Sequence, residues 1–338
     1  MRLRWNRRDW CRTLIAGAAG LGSCRPATGW WRWNGLAFGT EISIAFAPPR
    51  PAEARRLSAL CSAEVKRLEA MLSLADESSA VRRLNRDGRL DAPPKELLEI
   101  LELCRALHHA TAGAFDVTVQ PLWELYEEHF HRSPGDRKGP PEAALRQARA
   151  KVGFDAVDVG RDQVRFRKPG MALTLNGINQ GFVTDRVADL LRGSGVTSAL
   201  IDLGEFRAIG TSPEGQPWSI GIRGPAQEAV GTVPLANRAL AVSSGSGWTF
   251  DPEGRFHHIF HPQTGEVRPQ TEVLAVAAPA AAWADGLATA GLVMDPGTFE
   301  QLIGKLAWPV ESWRFGASPA ASAQPASGSS HDPSKVRA

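Results

Sequence analysis

Cysteine is scarce: four in 338 residues, at 11, 24, 61 and 104. No two stand in CxxC spacing, which excludes a zinc ribbon and a thioredoxin-type dithiol. Cys11 and Cys24 fall in the N-terminal segment. Cys61 and Cys104 fall on apolar faces of expected helices and read as two buried thiols rather than a disulfide. Charge of one sign is not in excess either, with Lys+Arg 39 against Asp+Glu 36, a formal +3. Five arginines and Asp9 give residues 1–24 a charge of +4, so the remaining body stands at −1. A near-neutral body argues against nucleic acid as the main partner. No apolar run is long enough for an internal transmembrane helix. There is no GxxxxGK(S/T) loop, no GxGxxG after a strand, no HExxH and no GxSxG. Any site is therefore assembled from dispersed segments.

What is present begins with an address. Met1–Arg12 is basic and Thr13–Ser23 is apolar and small, the layout of an export signal. Arg7-Arg8-Asp9-Trp10 resembles the twin-arginine type. Leu21-Gly22-Ser23-Cys24 resembles a bacterial lipobox, with Cys24 as the lipidated residue; a plain cleaved signal is the alternative. Residues 25–34 read as a linker, 35–315 as the body and 316–338, rich in Ala, Ser, Pro and Gly, as a disordered tail.

In the body, Trp33–Phe46 alternates and reads as a first strand. Leu57, Leu60, Cys61, Val65, Leu68 and Leu72 set a helix over 52–72. A second helix runs through Leu97–Leu107, opened by Pro93-Pro94 and closed by Gly113. Residues 132–141 read as a surface loop. Short strands are expected near Val157, at Val164–Phe166, Leu173–Leu175, Ala199–Leu203, Trp218–Ile222 and Leu240–Val242. Helical stripes are expected at Val183–Leu191 and Ala280–Val293. The mixture implies an α+β fold, with mixed or antiparallel sheets flanked by helices rather than regular βαβ alternation.

Five segments carry chemistry: Phe38-Gly39-Thr40-Glu41; Leu72–Asp76 with Arg83-Leu84-Asn85; Gly113–Leu122, containing Ala114-Phe115-Asp116; Leu175–Phe182 with Ile201–Gly204; and Ser243-Ser244-Gly245 with His257–Gly265 and Ala284–Ala290. In this order and at these intervals they resemble the ApbE family of FAD:protein FMN transferases, over about residues 35–315. No single segment is decisive; the series is specific.

On their own residues the readings are open. Asp285 and Thr289 are i and i+4 on a helix, so their oxygens share a face. A carboxylate and a hydroxyl suit Mg²⁺, and a solvated or capped face is the alternative. Gly177 and Gly181 flank a strand-to-helix turn that can admit an anion, or serve only the topology. Asp116 can hydrogen-bond a flavin or adenine edge, or cap a turn. His257, His258 and His261 lack a partner ligand at zinc spacing and read as a polar loop.

The resemblance sharpens these. It implies Asp285, Thr289 and the Gly177 carbonyl as Mg²⁺ ligands. It places Phe38, Ala75, Ala114, Phe115, Asp116, Thr174, Gln180, Ile259 and Ala288 around FAD, between the sheet and the loops. His258 aligns with the family's SHIIDP histidine, and either His258 or Asp285 serves as proton acceptor. The chain departs from the family at several positions. Phe38 stands where Met is common, and Ala75 where a stacking Tyr is common. Thr174 stands where an acid is common, Gln180 where Lys or Glu is common, and His261 where Asp is common. Loss of the Tyr ring weakens stacking by about a kcal/mol, with a neighbouring Trp the candidate to make it up. The implied reaction is Mg²⁺-dependent transfer of the FMN moiety of FAD to a Thr or Ser hydroxyl of a partner flavoprotein, releasing AMP. The expected acceptor is an exported or membrane-bound redox protein, met on the periplasmic side of the inner membrane. An FAD pyrophosphatase and a non-catalytic FAD-binding lipoprotein are the rival readings.

Overall fold

The computed structural model describes residues 29–224, 227–267 and 272–316. The export signal and residues 317–338 of the tail lie outside these.

The chain opens with a hairpin, β1 (Trp31–Ala37) and β2 (Thr40–Phe46), paired from Trp31↔Phe46 to Ala37↔Thr40. Two expectations are corrected here. Trp33–Phe46 is not one strand, because Phe38 and Gly39 both take positive φ, 51° and 73°, and form a two-residue turn. Residues 31–34, read as linker, belong to β1. Phe38 tolerates the left-handed backbone because its N–H is anchored, donating to Glu69 Oε1 at 2.6 Å.

Three helices and a short strand follow: α1 (Ala54–Leu72), α2 (Ala80–Asp87), β3 (Arg89–Asp91) and α3 (Lys95–Ala110). α1 buries Leu57, Cys61, Val65, Leu68 and Leu72 of the stripe visible in the sequence, while Leu60, expected with them, is exposed. Each such side chain is worth roughly 1.5–3 kcal/mol on burial. α3 starts after Pro94, whose missing N–H costs nothing at a helix start. Next come α4 (Gln120–Arg132), α5 (Glu142–Arg149), β4 (Val157–Val159), β5 (Gln163–Phe166) and α6 (Asn179–Gly193).

Leu173–Leu175, expected as a strand, is in no sheet. The Asn85 amide takes the place of a neighbouring strand there, donating to Leu173 O at 2.8 Å and accepting from Leu173 N at 2.7 Å.

The second half supplies β6 (Ala199–Asp202), β7 (Phe206–Ile209), β8 (Trp218–Arg223), β9 (Ala229–Leu235), β10 (Ala239–Ser244), β11 (Glu272–Ala278), α7 (Ala281–Val293), α8 (Pro296–Ile303) and β12 (Glu311–Gly316). Gly316, the first residue of the expected tail, closes β12.

A seven-stranded antiparallel sheet, in the order β1-β2-β6-β7-β10-β11-β12, is the spine. Strand alternation divides its side chains cleanly. Ala199, Ile201, Ala241, Leu274 and Val276 face a core built with α1, α3, α6 and α7. Leu200, Phe206, Leu240, Val273 and Ala275 face the β8–β9 hairpin and Trp218, Ile220 and Val233. A third, smaller cluster joins Leu122, Tyr126 and Phe130 of α4 to Phe260. Cys61 and Cys104 are buried free thiols, and burial pushes the Cys61 thiol up to about 12. The fold is α+β, as the pattern implied. Among the described residues, no helix is long and apolar enough to cross a membrane.

Candidate active site

One cleft opens where the sheet, the start of α6, α7 and the 243–262 loops meet. Its empty volume, open mouth included, is about 1400 Å³.

The floor is set by α7 against α6. α7 can come close because position 181 carries no side chain: a β-carbon on Gly181 would lie 2.4 Å from Ala281 O. Asp185 of α6 ties down the start of α7, accepting from Ala281 N at 2.8 Å and Ala282 N at 2.9 Å. Arg207 Nε stands 3.8 Å from the same carboxylate. With α7 so fixed, Asp285 Oδ2 accepts the Gly181 N–H at 3.1 Å, in the first turn of α6. Thr289 follows one turn on. A β-carbon on Gly177 would lie 3.0 Å from Thr289 Oγ1, so the glycine turn and the hydroxyl are in contact. Asp285, Thr289 and Gly177 all line the cleft.

The electrostatics are unusual. Asp285 is 4% exposed and Glu205 7%, and both face the cleft. Burial holds the Asp285 carboxyl above the usual carboxylate range, against the opposing Gly181 N–H. Burial, with the Asp285 charge second, holds Glu205 well above it too. Among the described residues, neither Lys nor Arg lines the cleft. Two buried acids with neither Lys nor Arg beside them among the described cleft residues fit a divalent cation. Among the described residues, no three His, Cys, Asp or Glu side chains gather tightly enough to hold a metal alone. A cation here is therefore of the hard kind, completed by hydroxyl, carbonyl, water and ligand oxygens.

The remaining expected residues divide. Phe38, Ala114, Phe115, Asp116, Thr174, Gln180, His258 and Ile259 line the same cleft. Ala75 and Ala288 do not: Ala75 is exposed in the turn after α1, and Ala288 is fully buried in the main core. The Asp116 carboxylate is engaged in structure. Its Oδ1 accepts from Thr118 N at 2.8 Å and Thr118 Oγ1 at 2.5 Å, and its Oδ2 accepts from Phe154 N at 3.0 Å. This is the capping arrangement, which orients Phe115 and the backbone beside it.

His258 is half-buried, with Nδ1 3.1 Å from Trp248 O. A carbonyl only accepts, so Nδ1 carries the hydrogen and the neutral ring keeps its lone pair on Nε2. His257 turns inward and accepts from Ile259 N through Nδ1. His261 Nδ1 accepts from Thr264 N at 3.4 Å. Three neighbouring histidines in sequence thus serve three different local tasks.

Sequence reasoning missed Glu205, Trp123 and Trp248. The two indoles stack at 6.1 Å and 24°, and Trp123 meets the His258 ring edge-on at 6.4 Å. Trp248 lies between the Ser243-Ser244-Gly245 and His257–Gly265 segments, which was the available signal. Glu205 directly follows Ile201–Gly204, yet nothing in the sequence marks it as buried.

The ApbE family model matches residues 38–311. The chain belongs to the ApbE family. Its relatives include an FAD:protein FMN transferase of Haemophilus influenzae, 28% identical over 296 residues, covering 83% of this chain and 85% of the relative. An FAD:protein FMN transferase of Klebsiella pneumoniae is 26% identical, covering 80% of each. The fold matches the flavin transferase ApbE from Vibrio cholerae with a TM-score of 0.73 at 24% identity, over 86% of this chain and 97% of that one. It matches the flavinyl transferase ApbE of Pseudomonas stutzeri, in apo form, with a TM-score of 0.71 at 26% identity, over 84% and 90%.

Proposed function

We propose that this ApbE-family protein transfers the FMN moiety of FAD to a Thr or Ser hydroxyl of a partner flavoprotein, with Mg²⁺, and releases AMP. The observation that carries the reading is the approach of Asp285 and Thr289 of α7 to the glycine turn at 177–181, in a cleft that neither Lys nor Arg lines among the described residues. A diphosphate cannot sit beside Asp285 and Glu205 unless a cation neutralises the charge. Asp285, Thr289 and the Gly177 backbone are the residues that would hold Mg²⁺, which when bound offsets phosphate charge and stabilises the leaving group.

The protein's own residues then do the following. The Gly181 N–H at the start of α6 opposes the burial that raises the Asp285 carboxyl, and it fixes the carboxyl's orientation. Trp123 and Trp248 offer an aromatic wall to a planar ring. His258 Nε2 accepts the proton of the incoming hydroxyl as its oxygen bonds to the FMN phosphorus and the diphosphate P–O bond breaks toward AMP. Asp285 is poorly suited to that role, because its carboxylate is engaged by Gly181 and is needed for the cation. His258 is thus the proton acceptor and Asp285 the cation holder.

The basic, then apolar, residues 1–24 support export to the periplasmic side of the inner membrane, with Cys24 as the residue for a lipid anchor. The acceptor is accordingly an exported or membrane-bound redox flavoprotein. Exchange of Arg7 and Arg8 for Lys would leave unprocessed precursor in the cytoplasm if the twin-arginine route is used; normal processing would contradict it.

The deciding experiment mixes protein, FAD, Mg²⁺ and an acceptor domain, then weighs the acceptor. A gain of one FMN with release of AMP is expected. FMN and AMP free in solution indicate a pyrophosphatase, and intact FAD indicates a binding protein; either result rejects transfer.

A further inference from the structure

Three acids line the cleft, and their oxygens are not equally occupied. Asp116 is engaged on both oxygens by Thr118 and Phe154, whereas Asp285 and Glu205 each accept one backbone N–H on a single oxygen. Glu205 sits in the turn between β6 and β7, is 7% exposed, and uses only Oε2, which accepts from Val242 N at 3.2 Å. Its Oε1 makes no hydrogen bond among the described residues.

The backbone around Glu205 is held from two sides. Thr184 Oγ1 of α6 donates to Glu205 O at 3.4 Å. Gly204, at φ +104°, brings the turn beneath Gln180 so closely that a β-carbon there would lie 2.3 Å from Gln180 Nε2. Gln180 directly precedes Gly181, whose N–H holds Asp285. The β6–β7 turn, the first turn of α6 and α7 therefore converge on one spot, and the Asp285 charge acts on Glu205.

A purely structural task, tying β7 to β10 through Val242, needs only a neutral acceptor. A buried carboxylate with a spare oxygen beside a second acid is a costly way to make one hydrogen bond. We propose that Glu205 is a second acidic holder of the divalent cation in this cleft, presenting Oε1 to it directly or through one bound water, alongside Asp285 and Thr289. This rests on the reading that the cleft takes a divalent cation with FAD. Two carboxylates imply that the cation is retained before any nucleotide arrives.

The test is Mn²⁺ titration of the full chain, stripped with EDTA and free of nucleotide, read by the electron paramagnetic resonance of free Mn²⁺. Wild type should bind one Mn²⁺, and Glu205→Gln should weaken binding about tenfold or more. The amide oxygen of that variant still accepts the Val242 N–H, so a merely structural role would leave affinity unchanged. Binding by Glu205→Gln within twofold of wild type, while Asp285→Asn abolishes it, overturns this inference and leaves the cleft reading intact. Wild type without Mn²⁺ binding overturns this inference, and wild type without Mn²⁺ binding when FAD is also present overturns the cleft reading as well. Should Glu205→Gln fail to fold, Glu205→Asp decides: a drop of threefold or more supports the proposal, and affinity within twofold overturns it.

Discussion

Asp285 Oδ2 accepts a hydrogen bond from Gly181 N at 3.1 Å, joining residues 104 apart in sequence. This contact sets the Asp285 carboxyl against the start of α6, where the peptide dipoles favour negative charge. It depends on α6 and α7 touching through a position without a side chain. Gly181→Ala should force the helices apart, because the new carbon would meet Ala281 O, a backbone atom that cannot swing away. A loss of about 1–3 kcal/mol is expected in urea denaturation. An unchanged midpoint would show that the helices slide freely.

Much of this scaffold is legible in the sequence, and the exceptions have physical causes. The α1 stripe and the proline start of α3 are local patterns, and local patterns survive folding. The Phe38–Gly39 turn is hidden because tight hairpin turns favour Asn or Asp at its first position, and Phe38 takes that backbone only with Glu69 accepting its N–H. Leu173–Leu175 reads as a strand since its apolar pattern is right, but its partner is the side chain of Asn85, 88 residues away. Asp285 and Thr289 are legible as a helical pair, whereas Glu205 is not, because burial of a turn residue is decided by helices far along the chain. The family resemblance placed FAD contacts at Ala75 and Ala288; the structure leaves both off the cleft.

Asp185 anchors α7 by accepting two backbone N–H groups, and it also faces the buried Arg207. Asp185→Ala removes the cap and the nearer carboxylate of the buried Arg207 guanidinium, leaving only the charge of Asp189. A stability loss of roughly 3–5 kcal/mol is expected by chemical denaturation. A loss below about 1 kcal/mol would contradict the anchoring role.

The pH dependence of stability has a defined contributor in Asp202 at the end of β6. Burial raises its carboxyl from 3.8 to about 6, opposed by the Gly204 N–H and the charge of Arg32. Below 3.8 both folded and unfolded chains hold the proton. Between 3.8 and about 6 only the folded chain holds it, so stability falls as pH rises through this window. Asp202→Asn should therefore stabilise the protein above pH 6 by about 1–3 kcal/mol, with little effect at pH 3.5. Thermal melts across this range check it, and equal shifts at both ends would contradict it.

The indole wall predicts where flavin affinity resides. Ala75 offers no ring to the cleft, whereas Trp248 and Trp123 stack within it. Trp248→Ala should weaken FAD binding by about 0.5–1.5 kcal/mol, up to roughly tenfold in Kd. Flavin fluorescence titration measures this, and a Kd equal to the wild type would remove Trp248 from the binding surface.

Dependence of transfer on a cation at α7 is read most directly from the intact mass of an acceptor domain incubated with FAD, Mg²⁺ and either wild type or Asp285→Ala. Wild type should add one FMN, while Asp285→Ala, and wild type in EDTA, should add none on the same timescale. Full addition by Asp285→Ala, or by wild type in EDTA, would show that the transfer does not run through a cation held at α7.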